Sequence, residues 1–146
     1  MDLKTPILKL RETKVLRGHY PIIIKIPANF GHIVENKKGY YVMTLTNDNN
    51  LHFYGLSSFF MKYQPKRDFE IKLNMFKHYA FMPIGKNLRQ IMLINENDFL
   101  PVQFFAGIKT SYEGEANAAY LCKRFDELGI LEVKKDYDTT TKWKRA

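Results

Sequence analysis

The sequence predicts a mainly β domain of about seven short antiparallel strands, folded as a barrel or two packed orthogonal sheets and closed by one C-terminal amphipathic helix. Strand-like runs recur from Tyr20 to Phe105 with Gly, Pro or Asn/Asp clusters between them. The hydrophobic period then changes from two to 3.6 after Gly107. No internal repeat or low-complexity tract interrupts this order, so the 146 residues read as one domain with short tails.

The first run, "YPIIIKI", is β-branched and apolar, which suits a strand buried on both faces or a sheet edge near Pro21. In "YYVMTLT", Tyr41, Met43 and Leu45 share one face and Val42, Thr44 and Thr46 the other. Asn47-Asp48-Asn49-Asn50 is turn chemistry, because Asn and Asp tolerate left-handed φ and bond to their own backbone. "LHFYG" resumes with Leu51 and Phe53 opposed to His52 and Tyr54, completing a hairpin. "LSSFFMKYQPKR" reads as the next loop, and "FEIKL" as a strand with Phe69, Ile71 and Leu73 on one side. "HYAFMP", "LRQIMLI" and "FLPVQFF" finish the series, and Phe53, Phe69, Phe81 and Phe104 fall at core positions.

Thr110 and Glu113 stand at capping-box spacing before the helix, predicted near residues 112–128. Ala118, Leu121, Cys122, Phe125 and Leu128 form its apolar stripe, and Gly129 ends it. Residues 1–19 read as an N-terminal extension, 20–130 as the domain and 131–146 as a patternless, mobile tail.

A lone cysteine, Cys122, excludes an internal disulfide framework and a multi-cysteine metal site, and points to a reducing compartment. "MDLKTPILKL" has no apolar stretch of a secretory leader, and no run approaches a membrane span. The expectation is a cytoplasmic protein, peripheral to a membrane if it meets one.

Charge is more informative. The net charge is +8, of which +5 falls between Lys62 and Arg89. That segment suits phosphate-rich partners, anionic lipid or nucleic acid; a solvated surface would look the same.

Catalytic and metal constellations are missing from the pattern. His19, His32, His52 and His78 show no HxH or HxxxH spacing. Ser57 and Ser58 lack a nucleophile elbow, and "GKNLRQ" lacks the glycines of a phosphate loop. Cys122 lies on the apolar helix stripe, where a small buried thiol is the ordinary reading. The expectation is a protein without enzymatic activity, cofactor or metal.

Seven strands followed by one helix is the order of a pleckstrin-homology-like (PH-like) domain. "GYYVMTLTNDNNLHFYGL" resembles the opening hairpin of the GRAM and bacterial PH-like families, and "FEIKLNMF" is similar to their following segment. "MLINENDFLPVQFF" and "ANAAYLCKRFDEL" resemble the last hairpin and the helix, which in that family plugs one open end of the barrel. The chain departs from phosphoinositide-binding members in having Lys25, Lys37 and Lys38 but no arginine along its first two strands. It also has Leu121 or Phe125 where they keep a helix tryptophan. "LHFYGLSSFFMKY…HYAFMPIG" is more faintly similar to the bacterial competence transcription factor family.

The resemblance implies a non-enzymatic, bacterial-type binding or adaptor module for a protein partner or an anionic membrane surface. Phe59, Phe60 and Tyr63 would supply apolar contacts, unless Phe59 and Phe60 form a satellite core under the loop. Lys62, Lys66 and Arg67, with Lys77, Lys86 and Arg89, would supply charge. The alternatives are a nucleic-acid-binding regulator using the same cations, and a homo-oligomer paired through an exposed "YPIIIKI" edge.

Overall fold

The structure, a computed structural model, describes residues 5–12, 16–28, 35–56, 63–96, 98–105 and 114–133, with 5 and 63–67 described by backbone alone. In chain order the described elements are helix α1 (Thr5–Glu12), strands β1 (His19–Ile26), β2 (Gly39–Leu45), β3 (Asn50–Leu56) and β4 (Tyr63–Lys72), and a 3-10 turn (Leu73–Met75). Strands β5 (His78–Pro83), β6 (Leu88–Asn95) and β7 (Asp98–Phe105), helix α2 (Gly114–Glu127) and the short β8 (Leu131–Glu132) follow.

The strands make one open sheet in the order β4-β3-β2-β1-β7-β6-β5-β8. Pairing is antiparallel except between β5 and β8. A mainly β domain with a C-terminal helix is therefore borne out, whereas closure of the sheet is not. The reason is local. After β4 the chain turns through Leu73–Met75 and enters β5 without pairing back, and the outer edge of β5 is taken by β8.

Alternation sorts the side chains as the sequence required. Ile22, Ile24, Tyr41, Met43, Phe53, Ile71, Leu93 and Phe104 share one cluster with Ala118, Leu121 and Phe125 of α2. Phe69 and Phe81 are partly buried against the same cluster. Gly129, at φ +86°, ends α2 in a Schellman turn: Ile130 N–H bonds Phe125 C=O at 2.9 Å, and Gly129 N–H bonds Asp126 C=O at 3.1 Å. The capping residues Thr110 and Glu113 and the tail beyond Val133 lie outside the described residues.

Three sequence expectations are corrected. Residues 1–19 hold more than an extension: α1 buries Ile7 and Leu10 with Ile23, Val42, Tyr54 and Leu56 on the other sheet face. Two apolar residues three apart are too short a pattern to announce a helix. Tyr63 to Arg67 belong to strand β4, not to a loop, because Tyr63 pairs with Leu56 and Gln64 with Gly55 across a bulge. Pro65 is tolerated there because β4 is an edge strand and needs no outward N–H. Finally, of the two readings of β1, burial on both faces holds and the sheet edge does not: the strand lies between β2 and β7, which leaves no exposed "YPIIIKI" edge for a second copy to pair with.

Candidate binding surface

Register decides where the charges meet. β1 ends, β2 begins, β3 ends, β4 begins, β5 ends, β6 begins and β7 ends along one rim, as Tyr40–Leu56, Leu56–Tyr63, Lys25–Gln103, Leu88–Phe105 and Pro83–Arg89 pairings require. Lys25 on β1, Lys37 and Lys38 before β2, Lys86 on the β5–β6 turn and Arg89 on β6 all belong to this rim. So do the backbone positions of Tyr63, Lys66 and Arg67. Phe59, Phe60 and Lys62 lie outside the described residues, in the segment joining Leu56 to Tyr63. The opposite rim carries Asp48, Glu96 and Asp98 on its turns, beside Lys72 and Lys77.

Lys77 is thereby separated from the other predicted site residues. Its Nζ lies 2.7 Å from Glu96 Oε1, and this hydrogen bond holds the glutamate below the usual carboxylate range. Lys86 is exposed, and Arg89, half-buried, donates from Nη1 to the Leu88 carbonyl at 3.4 Å.

Aromatic rings fix two of the rim lysines. The Lys37 ammonium sits 4.8 Å from the centre of the Phe69 ring, which stacks on Phe53 at 4.6 Å. Tyr41 donates to the Lys37 carbonyl at 2.6 Å, so that residue is held at backbone and side chain alike. The Lys25 ammonium lies 5.6 Å from the centre of the Tyr40 ring. These cations lie over rings of β4 and β2 that are themselves partly buried against the two core clusters.

Ile84 completes the rim. It is 39% exposed on the β5–β6 turn, two residues from Lys86, where an apolar side chain gains nothing from water. Sequence reading missed Ile84 because one isoleucine beside Pro83 and Gly85 looks like turn filler. It left Lys25, Lys37 and Lys38 out of the candidate site because only the register brings them beside Lys86 and Arg89.

A second polar cluster lies on the outer face of β3 and β4. His52 stacks on Tyr54, with centroids 4.0 Å apart, and its Nδ1 and Nε2 lie 3.5 Å from Glu70 and 3.9 Å from Asp68. Burial pushes the imidazole pKa down, against the pull of Glu70 and Asp68; Arg17 adds to the lowering. Arg17 ties the cluster to the chain before β1: Nη1 pairs with Glu70 at 3.1 Å, and its backbone N–H bonds the Tyr54 hydroxyl. The His52 side chain is 11% exposed, so the cluster is a joint between strands more than a surface.

The larger depressions avoid the basic rim. One of about 410 Å³ lies among Asp48, Asn49, Asn50, Lys72 and Asn74 at the opposite rim. Another of about 350 Å³ runs between Phe81 on β5 and Cys122 on α2. Among the described residues, no group of three or more His, Cys, Asp or Glu side chains is placed to hold a metal ion. No described helix is long and apolar enough to cross a membrane.

Comparison with protein-family models finds no family that matches the chain, and comparison with curated proteins and with solved structures finds none that matches.

Proposed function

We propose that the protein is a non-catalytic, PH-like binding module that docks its basic rim on an anionic membrane surface. The observation that carries this reading is the collection of Lys25, Lys37, Lys38, Lys86 and Arg89 at one rim with exposed Ile84 among them. Cations beside an exposed apolar tip suit a leaflet: the basic side chains meet headgroups while the isoleucine enters the interface. The PH-like part of the proposal is supported by the run of seven strands followed by α2 packed against the inner face. The segment from Ser57 to Lys62, with Phe59 and Phe60, joins strands at the same rim and would add apolar contact.

The test is cosedimentation with vesicles of phosphatidylcholine alone and with added phosphatidylserine. Each basic residue near an anionic leaflet contributes about 1 kcal/mol, so Lys86→Glu with Arg89→Glu weakens binding on the order of thirtyfold or more. Lys72→Glu, at the opposite rim, serves as the control and changes binding little. Binding also falls with added salt. Equal binding to both vesicle types, or tighter and equally mutation-sensitive binding to duplex DNA, overturns the reading; the latter favours a nucleic-acid regulator.

A further inference from the structure

We propose that the notch between β1 and β7 is a binding site for a small organic monoanion, a carboxylate joined to a compact apolar group of about five or six carbons. This ligand site goes beyond the membrane reading and does not depend on it.

The notch follows from pairing. Among the described residues, β1 and β7 are bridged at Lys25–Gln103 alone, whereas β6 and β7 pair continuously from Leu88–Phe105 to Asn95–Asp98. The seam therefore leaves space that a full ladder would fill. It amounts to about 120 Å³, lined mainly by Ile23, Tyr40, Leu88, Phe104 and Phe105. A comparable apolar cavity of about 150 Å³ accommodates benzene, so a short alkyl chain or a single ring is the right size.

Lys25 decides the chemistry. It lines the notch, is half-buried, and keeps its ammonium over the Tyr40 ring. No carboxylate partners it among the described residues. The other polar liner, Gln103, donates from Nε2 to Gln90 Oε1 at 3.0 Å and offers Lys25 no counter-charge. A neutral apolar ligand would strip water from the ammonium without replacing it. An anion lacking an apolar part would leave the floor of the notch wet. One ligand carrying both groups satisfies both requirements, and one ammonium matches one negative charge.

The experiment is a titration of the ¹⁵N-labelled chain, followed by amide shifts, with hexanoate, 1-hexanol and acetate in parallel. Hexanoate is expected to saturate, to move the amides of Ile23, Ile24, Lys25, Gln103, Phe104 and Phe105, and to bind about tenfold or more tightly than either partial analogue. Lys25→Met, which keeps the stem and removes the charge, brings hexanoate down to the level of hexanol. Leu88→Phe, which fills the notch, abolishes the shifts. Hexanol or acetate binding as well as hexanoate, shifts spread along the whole rim, or indifference to Lys25→Met each overturns the proposal. The dispersion of the same spectra reports folding, and Lys25→Met keeps the test decisive if Leu88→Phe misfolds.

Discussion

Asn117 on α2 donates from Nδ2 to the backbone carbonyl of Pro21 on β1 at 2.8 Å, a buried bond spanning 96 residues of sequence. It sits where β1 is irregular: the register shifts between His19 and Ile22, and Tyr20 has φ +55°, which costs a non-glycine residue on the order of 1 kcal/mol or more. Tyr20 also stacks on Tyr120 of α2 at 5.2 Å. The helix thus fastens the irregular start of β1. Asn117→Ala leaves the Pro21 carbonyl buried and unpaired and should cost about 1–3 kcal/mol. Urea unfolding would show a lower midpoint with an unchanged slope.

The His52 cluster makes stability depend on pH. Burial holds its folded pKa below the ordinary 6.5, so the unfolded chain binds the proton first as pH falls. Stability from this group is complete above pH 6.5 and is lost as pH falls through the depressed folded value. The charged groups facing the ring are Glu70 and Asp68 on β4 and Arg17 before β1, with Tyr54 stacked on it. His52→Gln should flatten the stability profile just below pH 6.5, and the wild-type imidazole shift should titrate with a midpoint below that value. A midpoint above it would mean that the two carboxylates outweigh burial.

Most strands were legible because alternate residues serve different faces, even where both are buried: Tyr41, Met43 and Leu45 join the cluster under α2, whereas Val42 joins the one under α1. The stripe from Ala118 to Phe125 declared α2 in the same way. What the sequence concealed was relational. Lys25 and Arg89 are separated by 64 positions and come to one rim through the β1–β7 bridge beside the β6–β7 ladder, which no local period encodes. Likewise His52 has no HxH motif, because its carboxylate neighbours come from β4 across the hairpin register His52–Glu70. The open sheet was hidden because β8 is two residues long, too short for a pattern.

Helix α1 is expected to be part of the folding unit. Ile7 and Leu10 are fully enclosed against β1, β2 and β3, whereas Leu8 on the same helix is 43% exposed. Leu10→Ala should cost about 2–5 kcal/mol and Leu8→Ala less than about 0.5 kcal/mol. A loosely attached extension would give near-zero changes for both, which thermal or urea unfolding distinguishes directly.

Cys122 should be a slow thiol in the native protein. Burial on the α2 stripe, with Glu132 and Asp126 nearby, pushes its pKa up to about 12, so about one molecule in ten thousand carries the thiolate at pH 8. An unfolded cysteine, with its ordinary value of 9.0, is ionised to the extent of roughly a tenth at pH 8. Alkylation by iodoacetamide should therefore accelerate on the order of a thousandfold when urea unfolds the chain. The same displacement has a stability consequence. A folded pKa above the unfolded value contributes stability that is complete below pH 9 and is lost as pH rises toward about 12. The phenol of Tyr79, which donates to Asp126 at 3.0 Å beside Cys122, and that of Tyr54 are pushed up by burial as well, so both add to the loss of stability in alkali. Cys122→Ala should remove the onset near pH 9 while leaving the later tyrosine-dependent loss. Cys122 is only partly buried and lines the α2–β5 depression, so an unchanged onset in that variant, or rapid native alkylation at pH 8, would show that water in the depression outweighs the burial of the thiol.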